Sequence, residues 1–563
     1  MDESHGATVN HAQPQTPSPS APASIAIRLW SAINRRPGAT LLGVAGFYLA
    51  IACAQAATKL LWTDELITLA IARQGSLAAI WRALAAGADP NPPLTHWLVL
   101  QSICALGQSA LAVRLPAILC VLLALVCVWA ILRRWVAPGF AAAGCLAFMA
   151  TRGFDYAYDA RSYAPLMGFA MASLACWLTA CDHQESPRDW PPQNLPRLTA
   201  LAGMAAALAL GLSSNYYGVL AFLPIAAGEI VRTARMRRIE PGTWLAMVAA
   251  ALPLLAFRPL IRHNLAEFGP HAWNRPQPGM IVSSYLELVE GVFWPVLGFA
   301  FYAVWKYRRA RSIEPAAPSA APRAPSTPPG GPQPHESSAL LVLLLYPILG
   351  YLIALAGHGM ISPRCVVPVC CGFGMAAALL GARLFAASPR AGLILLCSAL
   401  VWVAARESAC AFILARQRTA FFALRNAVAA RPATQPILVA DSLFVLPLAH
   451  YSSEPVRARI VFPIDFAAIH ALEADDSGEQ NLWAGRDGLF PFPIVPYDST
   501  LLASPSFTVI ARPNGWLAQS LTRNGFQLSG DAHDAHEQPW DQLGGIFTPM
   551  AHPETRILDA RRP

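Results

Sequence analysis

Trp62-Thr63-Asp64-Glu65 comes shortly after the first long apolar stretch of the chain, residues 40–57. Two carboxylates at the mouth of a membrane span are costly to place there without a function. Acids and arginines border apolar segments again in Asp89-Pro90-Asn91-Pro92-Pro93-Leu94 and in Tyr158-Asp159-Ala160-Arg161-Ser162-Tyr163. These polar stretches collect at one edge of a predicted membrane bundle, which indicates chemistry at a bilayer surface.

The composition is that of a membrane-embedded chain. Of its 563 residues, 55% are hydrophobic and only 13% are charged, and the mean hydropathy is +0.41. Soluble domains carry about 25% charged residues, and a spanning helix needs about 20 mostly apolar residues. We therefore expect a polytopic α-helical membrane protein with about 11 spans, in windows at residues 40–57, 111–132, 139–150, 165–180, 198–212, 217–231, 244–257, 292–305, 339–356, 366–384 and 391–405.

The basic residues explain the topology of these spans. They fall on a single side if the spans alternate, and the positive-inside rule makes that side the cytoplasm. The net charge of +8 is therefore a topology signal, and we expect no nucleic-acid partner. The motifs quoted above then lie on the outer face. The basic clusters are Arg28, Arg35 and Arg36; Arg133 and Arg134; Arg232, Arg235, Arg237 and Arg238; Lys306, Arg308, Arg309 and Arg311; and Arg383 and Arg390.

The chain divides into a membrane part and a soluble part. Residues 1–24 are rich in Pro, Ser and Ala and indicate a disordered cytoplasmic tail. Residues 25–410 form the multi-span domain, with a long first outer loop at 60–110 and a cytoplasmic Pro-rich linker at 313–337. Residues 411–563 are hydrophilic and mixed, which predicts a small α/β domain. The twelve cysteines include no CxxC pair and lie mostly in apolar windows, so they indicate packing rather than disulfides or zinc.

Periodicity predicts several elements outside the spans. In the first outer loop we expect two interfacial helices separated by a Pro-rich turn at residues 89–93. An odd number of spans places the C-terminal α/β domain outside the cell. The predicted helices cover residues 67–73, 77–85, 444–451 and 517–523, and the predicted strands cover 436–440, 460–462 and 506–511.

The order of the motifs resembles the GT-C glycosyltransferases. An Asp-Glu pair after the first span, a D-x-x-P-P-L turn and a Y-x-x-[DE]-A-R-x-Y stretch after a short third span are similar to the family 39-like group. This group includes protein mannosyltransferases, aminoarabinose transferases and Rgt-type sugar transferases. The resemblance covers roughly residues 40–410 and is clearest over 60–165. It implies a GT-C-like fold and transfer of a sugar from a polyprenyl-phosphate donor to a lipid, glycan or protein acceptor on the outer face of the inner membrane.

The resemblance also implies roles for individual residues. Asp64 matches the catalytic acid of the first outer loop, and Glu65 matches its neighbour. Asp159 and Arg161 match the acid and arginine of the second motif, where Glu is more usual than Asp. Ser362-Pro363-Arg364 is similar to a late outer-face Arg-aromatic motif, although Cys365 replaces the aromatic residue. Asn215 stands before Tyr216 and Tyr217 where the family usually has His.

Each carboxylate has two interpretations that the sequence leaves open. Asp64 is the candidate base that takes the proton of an acceptor hydroxyl, or a cap of the helix that follows it. Glu65 is a second catalytic candidate, or a first-turn acid favoured by the helix dipole. Asp159 and Arg161 either orient a substrate or form a local ion pair. A divalent metal is possible if Asp64 and Asp159 converge with water.

The remaining candidates concern substrate binding. Arg364 is a clamp for the departing phosphate or a contact to lipid headgroups. His358 could bind phosphate or a metal. Tyr163, Tyr216 and Tyr217 could stack on a sugar ring or anchor the protein at the membrane interface, where aromatic residues are common.

Three other functions are alternatives to the polyprenyl-phosphate sugar transferase that the resemblance implies. An oligosaccharide ligase that uses a polyprenyl-diphosphate carrier would share the acids and arginines of the outer face. A lipid or sugar transporter would place ionisable residues near the bilayer midplane and would often contain internal repeats. The apolar windows here are nearly free of charge and no repeat is evident. A structural scaffold would leave the polar outer loops unexplained.

Overall fold

A computed structural model describes residues 25–185, 194–267, 274–313, 331–357, 359–473, 475–498, 503–530, 550–552 and 554–562. The predicted tail at 1–24, most of the predicted linker at 313–337 and the candidate His358 lie outside these residues. The membrane part is helical throughout. Its helices are α1 Ile25–Arg35, α2 Pro37–Thr58, α3 Thr63–Ala72, α4 Leu77–Ala85, α5 Leu94–Leu106, α6 Ala110–Trp135, α7 Pro138–Met149, α8 Tyr163–Glu185, α9 Asn194–Ser214, α10 Phe222–Met236, α11 Pro241–Ala251, α12 Pro253–Glu267, α13 Gly279–Ile313, α14 Pro334–Leu344, α15 Tyr346–Ala356, α16 Val369–Phe385 and α17 Pro389–Ala429.

The multi-pass architecture predicted from hydropathy is confirmed. Among the described residues, eight helices are long and apolar enough to cross a membrane, and the pair α14 and α15, bent by 62°, would make a ninth. Each of the eleven predicted windows falls on one of these or on α7 or α16, which are apolar but only 12 and 17 residues long. The count of eleven therefore stays a prediction.

The first outer loop folds into three helices rather than two. The chain reverses between α3 and α4 at Gly75, whose φ of 78° suits a residue without a side chain. Ser76 then caps α4 by accepting a hydrogen bond from the Ala79 amide at 3.2 Å. The Pro-rich turn at 89–93 lies between α4 and α5, so the expectation that it separates the two predicted helices was wrong.

The C-terminal part contains a six-stranded sheet in the order β3-β2-β1-β4-β6-β5. Strands β1 to β4 are parallel to one another, and β6 runs antiparallel to both β4 and β5. The predicted small α/β domain is thus confirmed, although its predicted start at residue 411 lies within α17. The strands are β1 Ile437–Val439, β2 Ile460–Ile464, β3 Ile494–Pro496, β4 Ser506–Ala511, β5 Gln527–Gly530 and β6 Arg556–Arg561, and the helices are α18 Ser442–Tyr451, α19 Glu454–Arg457, α20 Phe466–Leu472, α21 Ser477–Ala484 and α22 Trp516–Arg523.

One hydrophobic core joins the C-terminal domain to the first outer loop. Buried residues of α3 to α5, such as Leu66 and Ile80, belong to the same cluster as Phe444 and Phe462 of the sheet domain. The junction is also hydrogen-bonded, since the Thr63 hydroxyl donates to the Leu443 carbonyl and the Leu61 amide donates to the Tyr451 hydroxyl at 2.7 Å. These contacts place the start of α18 beside the first turn of α3, which carries Asp64.

Candidate active site

Asp64 lies in the first turn of α3 between two arginines. One carboxylate oxygen, Oδ2, is 3.6 Å from Nε of Arg161 and 3.6 Å from Nη1 of Arg364. These distances are longer than direct hydrogen bonds, and the Asp64 side chain remains 25% exposed. The carboxylate is therefore held electrostatically but keeps room for another partner.

Arg364 makes few polar contacts with the rest of the protein. Its guanidinium lies 5.9 Å from the ring centroids of both Trp62 and Tyr163, within the range of a cation–π contact. Within the described part of the chain it donates no hydrogen bond, and its one ion contact is Asp64. Cys365 stands where the family motif has an aromatic residue, and in this protein Trp62 and Tyr163 supply the aromatic rings beside Arg364 instead. The N–H groups of Arg364 are available to an anionic ligand.

Glu65, unlike Asp64, is buried completely. Arg114 of α6 binds it through two parallel hydrogen bonds of 2.7 and 2.5 Å, and the Ala160 amide donates to it at 2.8 Å. Nζ of Lys59 is 3.8 Å from its second oxygen. Burial alone would raise the pKa of Glu65, but Arg114 and Lys59 hold that pKa below its ordinary value. Glu65 therefore ties α3, α6 and the second motif together.

Arg114 also closes the end of the first span. It donates hydrogen bonds of 2.7, 2.7 and 2.9 Å to the carbonyls of Ala56, Lys59 and Leu60. The last carbonyls of a helix lack partners within the helix, so a buried end needs such donors. Sequence analysis missed Arg114, although an isolated arginine inside the apolar window at 111–132 is itself a signal.

Asp159 supports Trp62 rather than Arg161. The indole Nε1 of Trp62 donates to Asp159 at 2.9 Å, and Nζ of Lys59 is 3.7 Å from the same oxygen. Burial raises the pKa of Asp159, which Lys59 opposes and the Glu65 carboxylate reinforces. The Trp62 ring in turn flanks Arg364, so Asp159 is linked to the site through that ring.

The closer of the two ion-pair partners of Arg161 is Asp89 of the Pro-rich turn, and the other is Asp64. The side chains of Arg161 and Asp89 are 2.5 Å apart, and Arg161 donates further to the Thr68 hydroxyl and the Asp64 carbonyl, both at 3.2 Å. Burial would raise the pKa of Asp89, but Arg161 and His96 hold it well below its usual range. Among the described residues, the side chains of Asp159 and Arg161 do not form an ion pair. The local pair, which was one of the two alternatives for these residues, is therefore not observed.

Asn215 connects the Pro-rich turn at 89–93 to the stretch at residues 158–163. Its Nδ2 donates to the Ser162 hydroxyl at 2.9 Å and to Oδ1 of Asn91 at 3.3 Å. Its Oδ1 accepts from the Tyr217 amide at 2.9 Å, which caps the 3-10 helix Tyr216–Ala221. The amide that stands in place of the family's histidine thus fixes the positions of three outer segments.

These segments enclose a cavity of about 340 Å³. Arg161, Tyr163, Tyr216 and Tyr217 all line it, so four of the predicted binding residues meet there. Asp64 contacts Arg161 at its edge. Asn264 of α12 also lines the cavity, and nothing in its sequence context signalled it.

Each of the acids that could hold a metal is engaged by another partner. Asp159 bonds to Trp62 and Asp89 bonds to Arg161, while Asp64 contacts arginines. Within the ranges that the structure describes, no three His, Cys, Asp or Glu side chains form a group suited to a metal ion.

Comparison with known proteins agrees with this architecture. The family model "Dolichyl-phosphate-mannose-protein mannosyltransferase" matches residues 90–261, which include Arg161 and Asn215. Two solved structures of ArnT from Cupriavidus metallidurans are similar over 92% of this chain and 97% of theirs, each at 15% identity. The apo state has a TM-score of 0.54, and the state bound to undecaprenyl phosphate has a TM-score of 0.53. No curated protein matches by sequence.

The predicted resemblance is thereby confirmed for the fold. The chain has the GT-C fold of ArnT, and its residues 90–261 are similar to the mannosyltransferase family model. It is a multi-pass membrane protein with a small C-terminal sheet region.

Proposed function

We propose that this protein is a glycosyltransferase that moves a hexose or pentose from a polyprenyl phosphate to a lipid, glycan or protein acceptor on the outer face of the inner membrane. One observation carries the proposal. A partly exposed carboxylate, Asp64, lies 3.6 Å from an arginine whose N–H groups are free for a phosphate, and it also lies 3.6 Å from Arg161, which lines a cavity together with three tyrosines. The ArnT fold supports it, because one ArnT structure contains undecaprenyl phosphate.

In this mechanism Asp64 is the general base. It takes the proton of an acceptor hydroxyl while the hydroxyl oxygen forms a bond to the anomeric carbon of the donor sugar. The bond between that carbon and the phosphate oxygen breaks, and the phosphate leaves with the electron pair. A single displacement of this kind inverts the anomeric configuration.

Arg364 binds the departing phosphate. Charge-assisted hydrogen bonds from a guanidinium to phosphate are strong and often bidentate. In the free protein the nearest anion to Arg364 is Asp64, so a bound phosphate replaces Asp64 as its counter-ion. Donor binding thus weakens the hold of Arg364 on Asp64, which favours contact between Asp64 and the acceptor hydroxyl once a donor is in place.

Glu65 and Asp159 are assigned positioning roles. Glu65 fixes the first turn of α3 through Arg114, and Asp159 orients the Trp62 ring that flanks Arg364. Tyr163, Tyr216 and Tyr217 provide the walls of the binding cavity together with Arg161.

Purified protein incubated with radiolabelled polyprenyl-phosphate sugars and a membrane lipid extract tests the function. The wild type should transfer label to an acceptor, and Asp64→Asn should not. Asp487→Asn is the matched control because Asp487 is 88% exposed on the C-terminal domain. Equal transfer by Asp64→Asn and wild type would remove Asp64 as the base. A parallel incubation contains polyprenyl-diphosphate oligosaccharides, and transfer from these alone would replace the proposal with the ligase function.

A further inference from the structure

Two uncharged residues that line the cavity, Asn264 and Tyr216, each carry a buried polar atom without a hydrogen-bond partner among the described residues. Oδ1 of Asn264 and the hydroxyl of Tyr216 are buried, and neither forms a hydrogen bond with any described residue. The Asn264 amide is not free to turn, because its Nδ2 donates to the Pro90 carbonyl at 2.9 Å. A buried polar group without a partner costs about 1–3 kcal/mol. Such atoms on the wall of a cavity indicate a ligand that supplies the missing hydrogen bonds.

The chemistry of the wall restricts that ligand. Asn264 Oδ1 accepts a hydrogen bond, while the Tyr216 hydroxyl can donate or accept one. The rings of Tyr163 and Tyr217 and the side chain of Ile261 add apolar surface to the same wall. A sugar ring matches this combination, because its hydroxyl groups form hydrogen bonds and its C–H faces pack against apolar surface.

The charges of the residues in the cavity wall limit the charge that the ligand can carry. Arg161 is the one charged side chain among the described residues that line the cavity, and no described carboxylate lines it. An ammonium group on the ligand would lie in a poorly solvated space near this guanidinium, and it would have to compete with Arg161 for the nearest carboxylates, Asp64 and Asp89, which is unfavourable. The ligand ring is therefore uncharged.

The size and position of the cavity complete the argument. Ligand pockets range from about 300 to 1,000 Å³, so the volume of about 340 Å³ suits one ring rather than an oligosaccharide. Arg161 belongs to the wall and also lies 3.6 Å from Asp64, which places the ring beside the base.

We propose that the cavity binds a single uncharged sugar of the donor, and that Asn264 and Tyr216 determine specificity by hydrogen bonding to its hydroxyls. This inference rests on the proposed transferase function but concerns binding. It separates this protein from transferases of cationic aminoarabinose, which must accommodate an ammonium group.

The test measures the affinity of the full-length protein in detergent for three ligands at pH 6.5. They are bare undecaprenyl phosphate, the same carrier with a neutral hexose (glucose, mannose and galactose in turn) and the carrier with aminoarabinose. At least one neutral hexose should improve the affinity over the bare carrier. Tyr216→Phe and Asn264→Ala should each weaken binding of that hexose donor about three- to tenfold, the range of one neutral hydrogen bond. Neither change should alter the affinity for the bare carrier, which also verifies that the variants fold.

Two further variants sharpen the result. Tyr302→Phe removes a hydroxyl from a residue that is 46% exposed on α13 and should bind all ligands as the wild type does. Asn264→Asp adds a carboxylate to the wall and should shift the preference about tenfold toward aminoarabinose. The proposal is overturned if aminoarabinose increases the affinity of the wild type for the carrier more than any neutral hexose does. It is also overturned if Tyr216→Phe and Asn264→Ala both leave the affinity for the hexose donor unchanged. Because these are binding measurements, a failure of sugar transfer alone would refute the catalytic proposal and leave this one standing.

Discussion

Glu65→Gln distinguishes a residue that holds the site together from one that reacts. The change keeps the shape of the side chain and an oxygen for the Ala160 amide, but it leaves the Arg114 guanidinium without its carboxylate in a completely buried position. Removing one partner of a buried ion pair costs about 3–5 kcal/mol. We therefore expect a lower Tm in detergent and a loss of transfer that follows the loss of folded protein.

A second substitution measures the coupling directly. Arg114→Met added to Glu65→Gln removes both charges, and replacing a whole buried pair is often nearly neutral. The rescue should be partial, because Arg114 also binds three carbonyls at the end of α2. The double variant should lose less Tm than the two single variants together, and transfer should recover in proportion to the folded fraction. A Glu65→Gln protein that keeps the wild-type Tm but transfers no sugar would refute the positioning role.

Three further predictions follow from the same network. Arg364→Lys keeps the charge but loses the planar fork, so kcat/KM should fall about 10–100-fold, the equivalent of one charge-assisted hydrogen bond at about 1.5–3 kcal/mol; an unchanged initial rate would contradict the phosphate role. Asp89→Asn removes the closest ion partner of the buried Arg161 and should lower both the Tm and the donor affinity, whereas wild-type values would refute the pairing. Burial raises the pKa of Glu479 in α21 to about 8, whereas an unfolded Glu has a pKa of about 4.3. The folded chain then binds the extra proton between these values, so this group makes stability fall as pH rises from about 4.5 to 8; Glu479→Gln should flatten that part of the Tm profile, and parallel profiles would contradict this.

Much of the membrane architecture could be predicted because it depends on composition. Apolar windows and basic clusters located the spans, and the order of three outer motifs indicated the GT-C fold. The sequence could not separate Asp64 from Glu65, because neighbours on a helix point about 100° apart and either one could face the cavity. Only the packing of α6, which brings Arg114 against Glu65, decides which acid is buried.

The sequence also could not predict which residues far apart in the chain contact each other. Asp159 and Arg161 are two positions apart and invited a local ion pair, yet Arg161 pairs with Asp89, which lies 72 residues earlier in the chain. Asn264 stands in a basic stretch at the end of an apolar window and has no motif around it. Its role depends on a cavity that forms only when α12 meets the turn at Pro90.

The central claim is that Asp64 acts in the chemical step and Arg364 holds the phosphate. A single-turnover measurement of Asp64→Asn with saturating donor and acceptor, together with its affinity for the donor, tests this most directly. We expect the rate of transfer to fall about 10²–10⁴-fold, the usual contribution of a general base, while the donor binds at least as tightly as to the wild type because Arg364 has lost its competing carboxylate. A variant that transfers sugar at the wild-type rate, or that loses activity only because the donor no longer binds, would contradict the account.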